Sequence, residues 1–244
     1  MHVSVIVNCH HEGLLLERSL ASAIRAIDVS GIAGECELIV VADQPTKTTS
    51  IVLASCAHRV DRVVHTGSHD LGLARNAGVE ASRGRLMLFL DGDDLWGGNW
   101  VRAAWARYLS MPAETILHPQ HCVFFGARSE VLIHPDWRDQ DFDPRTLAAR
   151  NCWTALCGVG RELAIELPFP RTDRQNRFGY EDWSWYTETV ARGARHVVVR
   201  DTVHFVRLKH AGSLRESLRG FLRVPSLAFA EYLAADDSTR PHDL

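Results

Sequence analysis

Leu86-Met87-Leu88-Phe89-Leu90-Asp91-Gly92-Asp93-Asp94 decides the fold. Five consecutive apolar residues read as a strand buried on both faces, the kind found inside a parallel sheet. The strand then ends in three carboxylates within four residues. Like charges crowded at the end of a buried strand raise one another's pKa values unless a cation neutralises them. Hard oxygen ligands in this position suit Mg2+ or Mn2+ shared with a phosphate. A solvated turn accounts for the same residues, since Asp and Gly are ordinary turn formers. The rest of the chain has to separate the two readings.

Working back to the N-terminus, apolar runs at Val3–Val7, Glu37–Ala42 and Arg62–His65 predict three more strands. Between them, 14–27, 48–58 and 71–82 have helical character, and Gly84 reads as the stop of the third helix. This alternation predicts a parallel sheet with helices on both faces. Ligands of such sheets bind beyond the carboxyl ends of the strands. The loops at 8–12, 43–46 and 91–94 all fall on that edge, which favours a binding site over a plain turn.

Working forward, Trp100–Leu109 reads as a helix ended by Pro112. His118–Phe125 and Val131–His134 read as short strands, a candidate hairpin. Residues 137–145 and 171–179 are polar loops. Residues 180–193 read as a helix with Glu181 and Asp182 in its first turn, where the helix dipole favours acids. Arg195–Val199 is another strand, 213–233 is mostly helical with a break at Pro225, and 236–244 is a polar tail.

The chain has 244 residues, is 46% hydrophobic and 23% charged, and carries a net charge of −3. That is ordinary globular composition, and it gives no global field for nucleic acid. The six cysteines form no CxxC pair, which reads as reduced thiols in a cytoplasmic protein. No apolar run approaches a membrane span, and the chain enters its first strand without a targeting segment.

Five motifs now stand in order: Val3-Ser4-Val5-Ile6-Val7, then Glu37 to Asp43, then Leu73-Ala74-Arg75-Asn76-Ala77-Gly78, then Phe89 to Asp94, and finally Glu181-Asp182-Trp183 with His210-Ala211-Gly212-Ser213. In these the chain resembles the family 2 glycosyltransferases of GT-A fold, over about residues 3 to 215. The resemblance implies an α/β fold with a single Rossmann-like, mostly parallel sheet flanked by helices, a small antiparallel acceptor-side region and C-terminal helices. It implies one continuous domain, with residues 1–108 as the nucleotide-sugar half and 109–244 as the acceptor half.

The same resemblance implies an inverting transfer of sugar from a nucleotide diphosphate donor, a UDP-sugar, to a hydroxyl of a carbohydrate or other acceptor, with Mn2+ or Mg2+ on the diphosphate. Asn8, His10 and Glu12 then line the donor, with His10 standing where an aromatic ring often packs beside the base. Asp43 would read a base N–H; a turn cap before Pro45 is its other role. Ala42 replaces an acid common in relatives. Asp91 faces the ribose, and Asp93, with Asp94 as neighbour, is the first metal ligand. Arg75 either pairs with the diphosphate or is a carboxylate-paired arginine. Asp182 matches the position of the general base, with Glu181 beside it turned elsewhere, toward the acceptor. His210 completes the metal shell or touches the diphosphate, with His204 as its rival. Arg215, Arg219 and Arg223 at i, i+4 and i+8 would line one helix face, suited to a peripheral membrane contact or, more simply, to solvent. Two other classes stay open: a metal-dependent nucleotidyltransferase or phosphohydrolase, and a non-catalytic relative that binds nucleotide sugars.

Overall fold

The structure is a computed structural model and describes residues 1–209, 221–224 and 226–235. In chain order the first half runs β1 (Val3–Cys9), α1 (Leu15–Asp28), β2 (Cys36–Asp43), α2 (Lys47–Cys56), β3 (Arg62–Thr66), α3 (Leu71–Ala81) and β4 (Leu86–Asp91). Then come β5 (Leu95–Trp96), α4 (Trp100–Leu109), β6 (Thr115–Gly126), β7 (Glu130–Ile133), β8 (Gly158–Gly160) and α5 (Arg161–Glu166). The chain continues through β9 (Phe178–Gly179), α6 (Glu181–Ala191), β10 (Arg195–Leu208), β11 (Leu222–Arg223) and α7 (Leu227–Ala234).

Nine strands form one sheet in the order β3-β2-β1-β4-β8-β6-β10-β5, with β7 paired to β6. The four strands of the βα alternation are parallel, as expected. The mixed part begins where β8 lies antiparallel between β4 and β6. The β6–β7 hairpin is present and antiparallel. Alternate residues of the strands feed two cores, one on each face. Val3, Val5 and Val7 pack with Leu16, Leu20 and Trp100, whereas Ile6, Ile39 and Phe89 pack with Val79, Trp185 and Tyr186. This two-sided covering is why the strands read as unbroken apolar runs.

Three expectations need correction. Gly84 does not stop α3, which ends three residues earlier, at Ala81. A Cβ on Gly84 would sit 2.5 Å from the Ser4 amide nitrogen, so the glycine is there for the close approach of chain to strand. Gly78 has a similar role, for its Cβ would meet Ile6 at 2.5 Å. Second, β10 runs on to Leu208 through a register shift between Val199 and Val203, with Asp201 at φ +59°. Third, Leu222–Arg223 is a strand paired with β9, not a helix. The Arg223 guanidinium lies over the rings of Trp183 and Phe229, at 5.5 and 5.4 Å. Arg215 and Arg219, the other two members of the expected basic face, lie outside the described residues.

Candidate active site

Strand register builds the edge. Asn8 at the end of β1 lies opposite Val41 on β2 and Asp91 on β4. The loops that follow are tied together. The Thr46 amide donates to the His10 carbonyl at 2.9 Å, and His10 Nδ1 donates to the carbonyl of Asp43. The His10 amide donates to the Glu12 carboxylate. Burial pushes the Glu12 carboxyl up, against the pull of that amide. Asn8 is buried, and among the described residues its side-chain amide has no partner. Gly92 closes the corner. Its amide donates to the Asn8 carbonyl at 2.8 Å, and a Cβ there would come within 2.9 Å of that same oxygen. No other residue type fits between Asp91 and Asp93 without displacing β1.

Asp43 is a nearly buried acceptor. Oδ1 takes the Thr66 hydroxyl at 3.0 Å and the Ser68 amide at 2.8 Å, and Oδ2 takes the Asp70 amide at 3.1 Å. Burial opposes its charge, and these donors outweigh it, holding the carboxyl below its ordinary range. It therefore caps the 66–70 loop rather than the turn before Pro45. A carboxylate oxygen accepts two bonds, so Oδ2 retains one lone-pair direction.

Arg75 is fully buried and paired with carboxylates. Nη1 donates to Glu181 Oε1 at 2.9 Å, and Nη2 lies 3.2 Å from both oxygens of Asp91. Its guanidinium sits 5.3 Å over the Phe169 ring. Burial disfavours the cation, but Asp91, Glu181 and Asp182 raise its pKa regardless. Of the two roles expected for Arg75, the structure displays the carboxylate-paired one. Glu181 is a correction: it faces Arg75 and is 4% exposed, so it does not face an acceptor. Burial pushes its carboxyl up to about 7 against the pull of Arg75.

Asp182 is the next residue in the first turn of α6. The turn follows Tyr180, held at φ +60°, a conformation rare for a bulky residue outside functional sites. Asp182 Oδ2 accepts the Asn151 side-chain amide at 2.9 Å. Burial raises its pKa, while Arg75, its backbone partner and Asn151 moderate the shift.

The other two aspartates differ sharply. Asp94 is buried, and its Oδ1 accepts the Arg207 amide at 2.7 Å. Burial, then Asp91 and Asp93, push its carboxyl well up. Asp93 instead meets cations: Lys209 Nζ at 2.8 Å and Arg207 Nη1 at 3.5 Å, both on Oδ2. His204, the rival metal ligand, is fully buried between Trp96 and Trp100. An imidazole inside that core does not reach the edge. His210 lies outside the described residues.

Among the described residues no three His, Cys, Asp or Glu side chains converge as a metal cage. Mg2+ and Mn2+ sites on phosphates commonly need only one or two carboxylates, the phosphate and water completing the shell. Asp93 suits that kind of site. Asp91 is occupied by Arg75, and Asp94 by a backbone amide.

Several site residues carried no local signal. Asn151 lies in a stretch without a motif, and Asp70 caps α3 while accepting the Thr172 amide at 2.7 Å. Asn76 exchanges two 2.9 Å hydrogen bonds with the Phe169 backbone. Only the acid-rich first turn of α6 and the Asn in Ala74-Arg75-Asn76 hinted at them.

The sequence matches the family model described as Glycosyl transferase family 2 over residues 4–156. No curated protein matches it in sequence. Among solved structures, the fold is similar to TarS 1-349 of S. aureus in complex with UDP-GlcNAc. That likeness has a TM-score of 0.68 and 18% identity, over 87% of this chain and 60% of that one. The same TarS segment in complex with UDP gives a TM-score of 0.68 and 18% identity, covering 97% and 67%. GalNAc-T7 with UDP, GalNAc and Mn2+ gives a TM-score of 0.59 and 18% identity, covering 86% and 44%. The chain thus spans about 60% of the length of the UDP-GlcNAc-bound TarS segment. At these identities the likeness is one of fold.

Proposed function

The chain belongs to glycosyl transferase family 2, and from that premise we propose that it transfers a sugar from a nucleotide diphosphate donor to an acceptor hydroxyl with inversion. The observation that carries this reading is the link between the two ends of the site. Arg75 joins Asp91 on the donor edge to the first turn of α6, and Asp182 stands on that turn with Asn151 fixing its carboxylate. Asp182 takes the proton of the acceptor hydroxyl as that oxygen attacks the anomeric carbon. The bond from that carbon to the diphosphate breaks, and its electron pair leaves with the diphosphate. A base raised toward neutral pH by burial is better matched to this transfer than an ordinary carboxylate. Attack from the face opposite the leaving group inverts the centre.

UDP is the nucleotide favoured here, because the similar TarS and GalNAc-T7 structures hold UDP or a UDP-sugar. In this chain the uracil N–H would use the remaining lone pair of Asp43, with the His10 ring beside it. Were a Mg2+ or Mn2+ ion to accompany the donor, Asp93 would be the side chain to hold it, and the ion would supply charge neutralisation on the diphosphate. The acceptor is a carbohydrate or other hydroxyl compound. No helix among the described residues is long and apolar enough to cross a membrane.

Asp182→Asn tests the reading. The variant keeps the shape and an acceptor for Asn151 but takes up no proton. UDP affinity and melting temperature should stay near wild type, while sugar transfer falls by about 10²-fold or more. Transfer at near wild-type rate places the base elsewhere.

A further inference from the structure

We propose that Lys209, backed by Arg207, is a diphosphate-binding cation of this site, held on Asp93 until the phosphates arrive. The inference rests on the donor-edge reading above and deepens it. Each carboxylate of the 91–94 corner is accounted for separately. Asp91 has the Arg75 guanidinium, and Asp94 is buried against the Arg207 amide. Asp93 receives two side-chain cations on one oxygen, one more than a single pair needs. Arg207 lies at the end of β10 and Lys209 just beyond it, and β10 pairs with β5 just after the corner. Both remain partly exposed, with Arg207 at 32% and Lys209 at 27%.

The surroundings suit an anion. His10, His11 and His69 stand on the neighbouring loops, with ring centroids of His10 3.5 Å from His11 and 6.2 Å from His69. The fields of His10, Lys209 and His69, after burial, lower the pKa of His11. Glu12 and Asp94 are the other acids that feel Lys209, and the Glu12 carboxylate already accepts the His10 amide. An ammonium is a point charge with three donors on a flexible stem, so it can swing from Asp93 to a phosphate oxygen. A metal held by Asp93 would leave Lys209 free for the phosphates, and without metal the lysine still supplies charge. The chain's own cations thus offset part of the carboxylate repulsion at the strand end, and Asp94 still feels the rest.

The test is calorimetric binding of inorganic pyrophosphate and of UDP to the whole protein in EDTA. Wild type should bind both, more weakly as salt rises. K209M should lose about tenfold or more for both, R207M less, and K209R should keep most of the affinity, with melting temperatures unchanged. Pyrophosphate failing to bind in EDTA, or K209M binding like wild type, overturns the proposal. Lys209-dependent pyrophosphate binding with no UDP binding even in Mn2+ would uphold this anion site and sink the donor reading. UDP binding in Mn2+ that ignores Lys209 does the reverse.

Discussion

Replacing Arg75 with Met removes the cation that serves both Asp91 and Glu181. The new side chain fills much of the space but leaves both carboxylates without the guanidinium that pairs them. Breaking a buried pair by deleting one partner costs about 3–5 kcal/mol. Two partners are abandoned here, so the loss should lie at the upper end, about 4–5 kcal/mol. For a domain of this size each kcal/mol moves the melting point by about 2–4 °C, which predicts a fall of about 8–20 °C. The deficit should depend on pH. Burial already holds the Glu181 carboxyl up at about 7, and without the pull of Arg75 it rises further. Such groups favour the fold at low pH and cost stability as pH rises through the folded pKa. The deficit should therefore be larger at pH 8 than at pH 5.5, and Arg75→Met with Glu181→Gln should recover part of it. Urea unfolding at the two pH values measures this. A loss below about 1 kcal/mol, the scale of an exposed pair, would refute a buried ionic role. Unchanged stability with lost UDP affinity would return Arg75 to the diphosphate.

Asp43→Asn should weaken UDP more than GDP or ADP, because the amide supplies fewer lone pairs to share between the 66–70 loop and a base N–H. A uniform loss across bases in a binding series would leave Asp43 as a loop cap only. Gly84→Ala should cost about 1–3 kcal/mol in denaturant unfolding, the cost of overpacking against the Ser4 backbone; an exchange with no cost would mean that the strand moves aside freely. The buried pair His118 and His196, joined at 2.9 Å, and His134 beside them should make the protein acid-sensitive. Burial lowers His196 to about 3 and His134 to about 4. Their contribution is whole above pH 6.5 and declines as pH falls toward the folded values, roughly 1.4 kcal/mol per pH unit for each histidine. Glu181 and Asp94 act in the opposite sense, so His134→Gln isolates the effect: stability between pH 6.5 and 5 should fall less steeply in the variant.

The sheet was legible because β1, β2 and β4 are buried on both faces and therefore apolar throughout. Their order and the strand-end rule placed Asn8, Asp43 and Asp91 at one edge without coordinates. Gly158-Val159-Gly160 offered no such signal: three residues make a strand only because β4 and β6 hold both its sides. The same limit applies to the site. Glu181 and Arg75 lie 106 residues apart, and Asn151 and Asp182 lie 31 apart. Partners at such a distance leave no periodicity to read, so the sequence shows Glu181 only as the neighbour of Asp182 and not as the partner of an arginine. The sequence assigns Asp91 to the ribose and Asp93, with Asp94 beside it, to a metal; it does not show that each has a different partner within the chain, Arg75, Lys209 and the Arg207 amide.

The place of β8 has a consequence for synthesis. While the chain emerges from the ribosome, β1 to β4 can assemble through their βα crossovers, since each partner is already made. The far side of β4 waits for Gly158 to Gly160. At translation speeds of about 5–20 residues per second, that edge stays open for on the order of several seconds. Leu86 to Leu90 then present unpaired backbone beside apolar side chains, the pattern that recruits a neighbouring nascent strand. A transcript cut short before residue 158 would leave the edge permanently uncovered, and its product would be a client for chaperones rather than a small soluble binder.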